Sequence, residues 1–108
     1  MTARPLIAAL LALLVAAAWS AQPTTMDEAN RAYYLGWYAH ALALYERLAA
    51  AGHAEAAERA GFMRLEGGAM YGAQVGRDLG KAAAWLTQAA RSGRPGAGFV
   101  LNMLDGAD

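Results

Sequence analysis

The sequence contains no cysteine, only three prolines and no excess of charge of either sign. Without cysteine, the chain has no disulfide, no thiolate nucleophile and no thiolate metal site. Nine Lys and Arg residues balance nine Asp and Glu residues. The basic excess that supplies much of the affinity of nucleic-acid-binding proteins is therefore missing, and we expect no nucleic-acid partner.

What the sequence has in quantity is alanine, within a hydrophobic content of 57%. Alanine is the best helix former, and proline, the worst, is rare away from the ends of the chain. A length of 108 residues fits one domain. Composition and length together predict a single all-α domain.

The first segment has the pattern of a bacterial export signal. Arg4 precedes an uninterrupted apolar run over residues 6–18, and Ala18-Trp19-Ser20 places small side chains where a signal peptidase reads them. We therefore expect residues 1–20 to be a signal peptide, cut before Ala21, and the product to be periplasmic or secreted.

A retained membrane anchor is the alternative interpretation of this segment. A membrane span needs about 20 apolar residues. Polar residues and Pro23 already follow from Ser20 onward, which favours cleavage. Contact with a membrane is expected only if the segment is retained.

Intact-mass spectrometry of the protein recovered from a bacterial host distinguishes the two interpretations. We expect a mass that starts at Ala21, or a residue or two later, in the periplasmic or secreted fraction. A full-length mass in the membrane fraction would instead identify a membrane-anchored protein.

Helix start and stop signals divide the remaining chain into five predicted helices. We expect these helices at about residues 26–35, 38–51, 54–65, 79–92 and 95–104. The glycine-bearing stretch between the third and the fourth is expected to be a flexible connector. Residues 21–28 form a linker and helix start, residues 29–104 a repeat domain and residues 105–108 a tail.

The second and fourth helices repeat one pattern at a shift of 41 residues. Large, small and stop positions recur with the i, i+3, i+4, i+7 spacing that places them on one helical face. Helical pairs of this kind bury their apolar faces by stacking on one another. The matched positions are Tyr38 with Leu79, Ala41 with Ala82, Tyr45 with Leu86, and Gly52 with Gly93.

These motifs resemble the Sel-one-like repeat family, a relative of the tetratricopeptide repeats. Lys81-Ala82-x-x-Trp85-x-x-x-Ala89-Ala90-x-x-Gly93 is similar to the second helix of that repeat. Gly61 stands where the family has a small residue for close packing. Gly36-x-Tyr38-x-x-Ala41-Leu42-x-x-Tyr45 is nearer to the tetratricopeptide form.

The resemblance implies a short right-handed solenoid of helical hairpins that acts as an adaptor or scaffold, without catalytic residues or a cofactor. The chain departs from the family in three places. The 66–77 loop is longer, Arg64 or Leu65 stands where an aromatic residue is common, and Asn102 replaces the small packing residue of the last half-repeat. These departures leave the register of the last half-repeat open.

In related solenoids the first helix of each pair lines a concave face, and aromatic side chains there are favoured anchors for a partner. Mapping the chain onto that pattern gives a predicted concave face of Asn30, Tyr33, Tyr34, Glu58, Phe62, Leu65, Phe99 and Met103. The competing interpretation is packing, in which Tyr33 and Phe62 pack against each other and Phe99 seals the end of the domain.

The ionisable residues have ordinary structural explanations. His40 and His53 lie on different helices and lack the ligand spacing of a zinc site. An i, i+4 ion pair on a solvated face accounts for Glu55 and Arg59. Arg91 and Arg94 suit a helix C-terminus, because cations there complement the helix dipole.

The predicted function is therefore binding of a protein or peptide in the bacterial envelope, without enzymatic activity or a metal. Self-association into a homo-oligomer is a further expectation, because so short a solenoid leaves its ends exposed. A membrane-anchored assembly factor and a small envelope enzyme remain as alternatives.

Overall fold

The structure, a computed structural model, describes residues 24–106, which form six α-helices packed as hairpins. This confirms the all-α prediction, and each of the five predicted helices lies within one residue of its expected bounds. The predicted signal peptide and residues 107–108 of the predicted tail lie outside the described residues. The helices are α1 (Met26–Tyr34), α2 (Tyr38–Ala50), α3 (Ala54–Glu66), α4 (Gly68–Tyr71), α5 (Leu79–Arg91) and α6 (Pro95–Asp105).

Three of the longer helices begin with a side-chain cap. Thr25 accepts a hydrogen bond from the amide of Glu28 at α1, and Asp78 accepts one from Lys81 at α5. His53 does the same at α3 through its imidazole. Such caps satisfy amides that have no partner within the helix, and each typically contributes about 1 kcal/mol. The structure therefore gives His53 the structural role that the sequence predicted.

Gly52 and Gly93, the predicted helix stops that lie 41 residues apart, share one backbone geometry. Gly52 and Gly93 have φ values of 99° and 93°, a conformation that only glycine adopts without strain. After each, an amide returns to a carbonyl of the last helical turn, from His53 to Leu48 and from Arg94 to Ala89, both at 3.0 Å. This is the hydrogen-bond pattern of a Schellman motif, and it reverses the chain into a hairpin.

The core is built mainly from alanine, with a few large side chains between. The predicted core positions Ala41, Tyr45, Ala82 and Leu86 are all 0% exposed. Ala41 with Ala82 and Tyr45 with Leu86 are thus buried alike, whereas Leu79, which was matched with Tyr38, is 51% exposed and does not belong to the core. Because alanine adds little width, neighbouring helices approach closely and pack in sequence: α1 on α2, α2 on α3, α3 on α5, and α5 on α6.

Side-chain contacts also join helices that are not consecutive. Arg59 of α3 lies over the ring of Tyr33 in α1, and Glu58 of α3 pairs with Arg94 at the start of α6. On the other side, Gln88 of α5 donates to the carbonyl of Ala49 in α2 at 2.6 Å. Single side-chain contacts thus bridge α1 to α3, α3 to the start of α6, and α5 to α2.

The stretch between α3 and α5 is more ordered than the sequence predicted. It contains α4, and Val75 within it is only 1% exposed. The Arg64 guanidinium donates to the carbonyl of Gly76 at 3.2 Å, and the Arg64 carbonyl accepts from the amide of Asp78 at 2.9 Å. The expectation of a flexible connector is therefore wrong, because a buried valine and these hydrogen bonds fix the segment against α3.

No helix within residues 24–106 has the length and apolar character needed to cross a bilayer.

The contact between α3 and α5 requires glycine at position 61. A Cβ there would lie 2.6 Å from Cγ of Leu86 and 3.3 Å from its backbone nitrogen, and Leu86 is fully buried. We expect Gly61→Ala to lower the free energy of unfolding by about 1–3 kcal/mol through overpacking. Urea denaturation followed by circular dichroism measures this.

Gly98→Ala is the matched control. Its new Cβ would meet no atom closer than Ala90 Cβ at 3.9 Å. Replacing a helical glycine by alanine without a clash stabilises a helix by about 0.5–1 kcal/mol. A Gly61→Ala variant as stable as the parent would contradict the packing explanation.

Candidate functional site

Four tyrosines from three helices meet at the end of the domain where α1 ends and α2 begins. The ring of Tyr33 lies 5.4 Å from that of Tyr38 and 5.9 Å from that of Tyr71, and the last two are 5.1 Å apart. All three contacts are edge-to-face, an arrangement worth about 0.5–1.5 kcal/mol per pair beyond simple burial. Tyr45 joins the group at 6.4 Å from Tyr33. We call these four residues the tyrosine cluster.

Hydrogen bonds made by the tyrosine hydroxyl groups fix the cluster. The Tyr33 and Tyr71 hydroxyls are 3.1 Å apart, and Tyr45 donates to Oδ1 of Asn30 at 2.6 Å. Burial raises the pKa of Tyr45. Burial and the hydrogen bond with Tyr33 together raise the pKa of Tyr71. Both phenols therefore stay neutral at physiological pH and act as hydrogen-bonding groups rather than as bases.

A cation already lies on one ring of the cluster. The Arg59 guanidinium is 5.6 Å from the centre of the Tyr33 ring, within the range of a cation–π interaction. Among residues 24–106 the ion pairs are Arg64–Glu46 and Arg94–Glu58. The predicted i, i+4 pair between Glu55 and Arg59 is therefore wrong, because Arg59 turns toward the aromatic ring instead.

A cleft of about 420 Å³ opens beside the cluster. One wall is the α1–α2 turn with the first residues of α2, and the other is the end of α4 with the residues after it. Its volume falls in the range of about 300–1,000 Å³ that is usual for ligand sites. We call it the aromatic cleft, lined by Gly36, Trp37, Tyr38, Ala39, His40, Tyr71, Gly72, Ala73 and Gln74.

Several exposed large apolar side chains belong to the cleft lining or are close to lining residues in the sequence. Trp37 forms part of the wall and is 60% exposed. Tyr34 and Leu35, which immediately precede the α1–α2 turn, are 79% and 52% exposed. Met70, next to Tyr71 in α4, is 60% exposed. Exposed apolar side chains grouped in this way are typical of a surface that a partner covers.

The residues of the predicted concave face have different surroundings in the structure. Asn30, Tyr33, Phe62 and Leu65 are half-buried, and the first two are held by the bonds already described. Glu58 is also half-buried and pairs with Arg94 at 2.8 Å. The strongly exposed members are Tyr34, Phe99 and Met103.

These exposed members lie on different helices. Tyr34 belongs to α1 and its ring lies 6.0 Å from that of Tyr33, whereas Phe99 and Met103 belong to α6, where Phe99 is 67% exposed. Such exposure does not fit a residue that seals the end of the domain. A binding role for the predicted concave face stays a prediction.

The walls of the cleft were not predicted from the sequence, and Tyr71 falls in the stretch that was expected to be a flexible connector. The signal was present in Ala69-Met70-Tyr71, an apolar triplet between glycines that is unusual for a solvated loop. Only the folded chain brings this triplet against the α1–α2 turn, because the two segments lie more than 30 residues apart.

A second polar cluster, centred on Glu46 in α2, was also missed. Arg64 donates two hydrogen bonds to its carboxylate, at 2.8 and 3.3 Å, and the Trp85 indole donates a third at 2.9 Å. Arg94 was predicted to complement the dipole at a helix C-terminus. Its guanidinium in addition donates a hydrogen bond to the Glu58 carboxylate. These bonds connect α2, α3, α5 and α6, so we assign the carboxylates to the scaffold.

Residues 24–106 contain no cluster of metal ligands and no buried polar side-chain atom without a partner. No three His, Asp or Glu side chains there converge closely enough to hold a metal ion. Every buried side-chain nitrogen or oxygen within the same range has a hydrogen-bond partner. The aromatic cleft is therefore the feature of the described chain that most resembles a binding site.

Comparison of the chain with protein-family models, with curated proteins and with solved structures finds no match in any of the three. The Sel-one-like resemblance therefore remains an interpretation of the motifs. The observed packing of helical hairpins is consistent with a tetratricopeptide-like fold.

The Glu46 cluster makes stability depend on pH. Burial alone raises the pKa of Glu46, but hydrogen bonds from Arg64 and Trp85 and the nearby Arg64 and Lys81 charges outweigh it and hold the pKa below its usual range. The ionised form thus stabilises the folded state. That contribution is present above the unfolded-state pKa of about 4.3 and is lost as the pH falls through the lower folded-state pKa.

We expect Glu46→Gln to lower the free energy of unfolding at pH 7 by about 1–3 kcal/mol, because hydrogen bonds to a charged acceptor are lost. The difference from the parent should shrink below pH 4 in urea titrations. Glu66→Gln, at an exposed position, is the control and should change stability little at either pH. A constant difference across the pH range would contradict the role of the Glu46 charge.

Proposed function

We propose that this protein is a short tetratricopeptide-like solenoid, exported to the bacterial envelope, that binds a peptide or an extended segment of a protein. The aromatic cleft is the binding site, and the exposed residues Tyr34, Leu35 and Met70 extend the contact around it. The hairpins hold the walls of the cleft in place, as an adaptor or scaffold requires.

One observation carries the proposal, namely a cleft of about 420 Å³ whose walls include three aromatic side chains. Aromatic residues are the commonest anchors in protein interfaces, because they offer a large contact area and lose little conformational entropy. The lining contains no carboxylate, lysine or arginine, and His40 is its single histidine, without a second acid–base side chain of these kinds beside it in the lining. That composition favours binding over acid–base chemistry, which needs positioned groups with matched pKa values.

The stiffness of the site also supports binding. Edge-to-face packing and the Tyr33–Tyr71 hydrogen bond hold Tyr71 in place, and the caps and the Glu46 cluster hold the helices behind it. A preformed site spends less free energy on ordering its side chains when a ligand binds. The scaffold of this small domain therefore contributes to affinity without touching the ligand.

Peptide-display selection against the purified protein, followed by fluorescence-polarisation titration of the selected peptides, tests the proposal. We expect Trp37→Ala to weaken binding at least tenfold, which corresponds to about 1.4 kcal/mol. Trp37 is largely exposed, so the variant should fold normally.

Phe99→Ala on α6 is the control, because Phe99 is an exposed aromatic outside the cleft lining, and it should change affinity less than twofold. Loss of binding in Phe99→Ala but not in Trp37→Ala would move the site to α6 and refute the cleft. Failure to select any peptide would refute the proposed function.

A further inference from the structure

Residues 68–74, which we call the strap, are fixed at both ends and exposed along their middle. At one end, a Cβ on Gly67 would lie only 2.8 Å from Cα of Arg77, so the two backbones are in close contact. At the other end, Val75 is 1% exposed. Between these points every residue except Tyr71 is exposed. The strap therefore leaves and rejoins a fixed base, and it places one side chain against the rest of the domain.

Few bonds hold the middle of the strap to the other helices. Its backbone hydrogen bonds join it only to its own residues and to Gly67 and Val75. Among the described residues, its one side-chain hydrogen bond connects the hydroxyls of Tyr71 and Tyr33. Gly72 has a φ of 90° and no atom within 4 Å of its Cβ position, so the backbone can rotate there. Segments with so few buried contacts open at a lower free energy than the whole domain unfolds.

Tyr71 occupies a space between two rings that have contacts of their own. Its ring lies 5.9 Å from that of Tyr33 and 5.1 Å from that of Tyr38, edge-to-face in both cases. The rings of Tyr33 and Tyr38 also contact each other at 5.4 Å, and the Arg59 guanidinium lies over Tyr33. We call the space between Tyr33 and Tyr38 the phenol slot. If Tyr71 leaves, the slot keeps two aromatic walls and the Tyr33 hydroxyl.

We propose that Tyr71 is an exchangeable intramolecular ligand, and that a tyrosine side chain of the bound peptide takes its place in the phenol slot when the strap opens. This inference rests on the proposed function of peptide binding and names the side chain that anchors the peptide. The occupant in the structure carries the argument, because a phenol already fits the slot and hydrogen-bonds there. The closed strap is the resting form of the site.

Competition with Tyr71 determines which ligands can enter the slot. A short linker keeps its own group near a site at an effective concentration of the order of mM. A ligand also loses affinity in proportion to the fraction of molecules whose site is occupied. A free phenol therefore competes poorly, whereas a peptide gains further contacts from exposed residues of the cleft such as Trp37. The strap thus favours ligands that offer more than one aromatic ring.

A vacant slot tests this chemistry directly. Tyr71→Ala removes the occupant, and p-cresol reproduces the tyrosine side chain as a free molecule. We expect p-cresol to raise the thermal unfolding midpoint of Tyr71→Ala, because ligands stabilise the folded state that binds them. Toluene, which lacks the hydroxyl, should raise the midpoint less.

The parent and Met70→Ala are the controls for the p-cresol measurement. Met70 is an exposed neighbour of Tyr71 in the strap, so its loss leaves the slot filled. Both proteins should respond to p-cresol less than Tyr71→Ala does. An equal response in all three proteins, or no response in Tyr71→Ala, would overturn the inference.

Amide hydrogen exchange tests the opening of the strap without emptying the slot. Tyr71→Phe and Tyr33→Phe keep both rings, and each removes the same hydrogen bond between hydroxyls. We expect faster exchange at residues 69–74 in both variants, unchanged exchange in α3 and α5, and no further increase in the double variant. Tyr38→Phe is the matched control, because its hydroxyl takes no part in that bond. Parent-like exchange of the strap in both variants would overturn the inference.

The peptides from the display selection test the exchange itself. We expect them to contain tyrosine and to bind Tyr71→Ala about tenfold more tightly than the parent, because the competing side chain is gone. Weaker binding to Tyr71→Ala would make Tyr71 a fixed wall of the cleft, which overturns the inference and leaves peptide binding intact. Selected peptides without tyrosine would overturn it in the same way. A selection that yields no peptide refutes the proposed function, and the p-cresol measurement then decides the slot alone.

Discussion

The close approach of α3 and α5 is the constraint on which the rest of this structure depends. It is possible because Gly61 has no side chain where the fully buried Leu86 packs. Because α5 packs closely on α3, two of its side chains can also bond to α2. The Trp85 indole donates to Glu46, and the Gln88 amide donates to the Ala49 carbonyl. The segment between α3 and α5, which contains α4, therefore connects two closely packed helices. The position of Tyr71, and with it the aromatic cleft, follows from a contact between helices that lie away from the cleft lining.

The domain separates its polar and aromatic contacts into different regions. Carboxylates paired with Arg64 and Arg94 join the helices of the scaffold, whereas tyrosines gather where the α1–α2 turn meets α4. Ion pairs that are partly exposed contribute modestly to stability, so the fold depends mainly on the alanine-rich core. Aromatic rings that are only half-buried keep surface available for other contacts. The rings at the aromatic cleft thus take no part in the ion pairs that join the helices.

Local signals in the sequence were sufficient to predict the five longer helices but not α4. Capping residues, glycine stops and the 41-residue repeat act within a few positions of the chain, so the bounds of α2 and α5 and the burial of Ala41 and Leu86 were predictable. The site was less predictable because it forms between distant segments. Nothing near Trp37 indicates that Tyr71 will lie opposite, and nothing near Glu46 indicates that Arg64 and Trp85 will converge on it. The Glu55–Arg59 spacing fitted a local ion pair, but the Arg59 guanidinium packs over the ring of Tyr33 in another helix instead.

The unequal burial of the helices has a consequence for how the molecule opens. In α6 only Ala97 is fully buried, while α3 contributes five buried residues to the core. In stacked helical hairpins each unit is stabilised chiefly by its neighbours, and α6 packs mainly on α5. A helix with so few buried residues is expected to detach at a lower free energy than the whole domain unfolds. We therefore expect amide hydrogen exchange in α6 to proceed through local opening while the other helices of residues 24–106 stay packed.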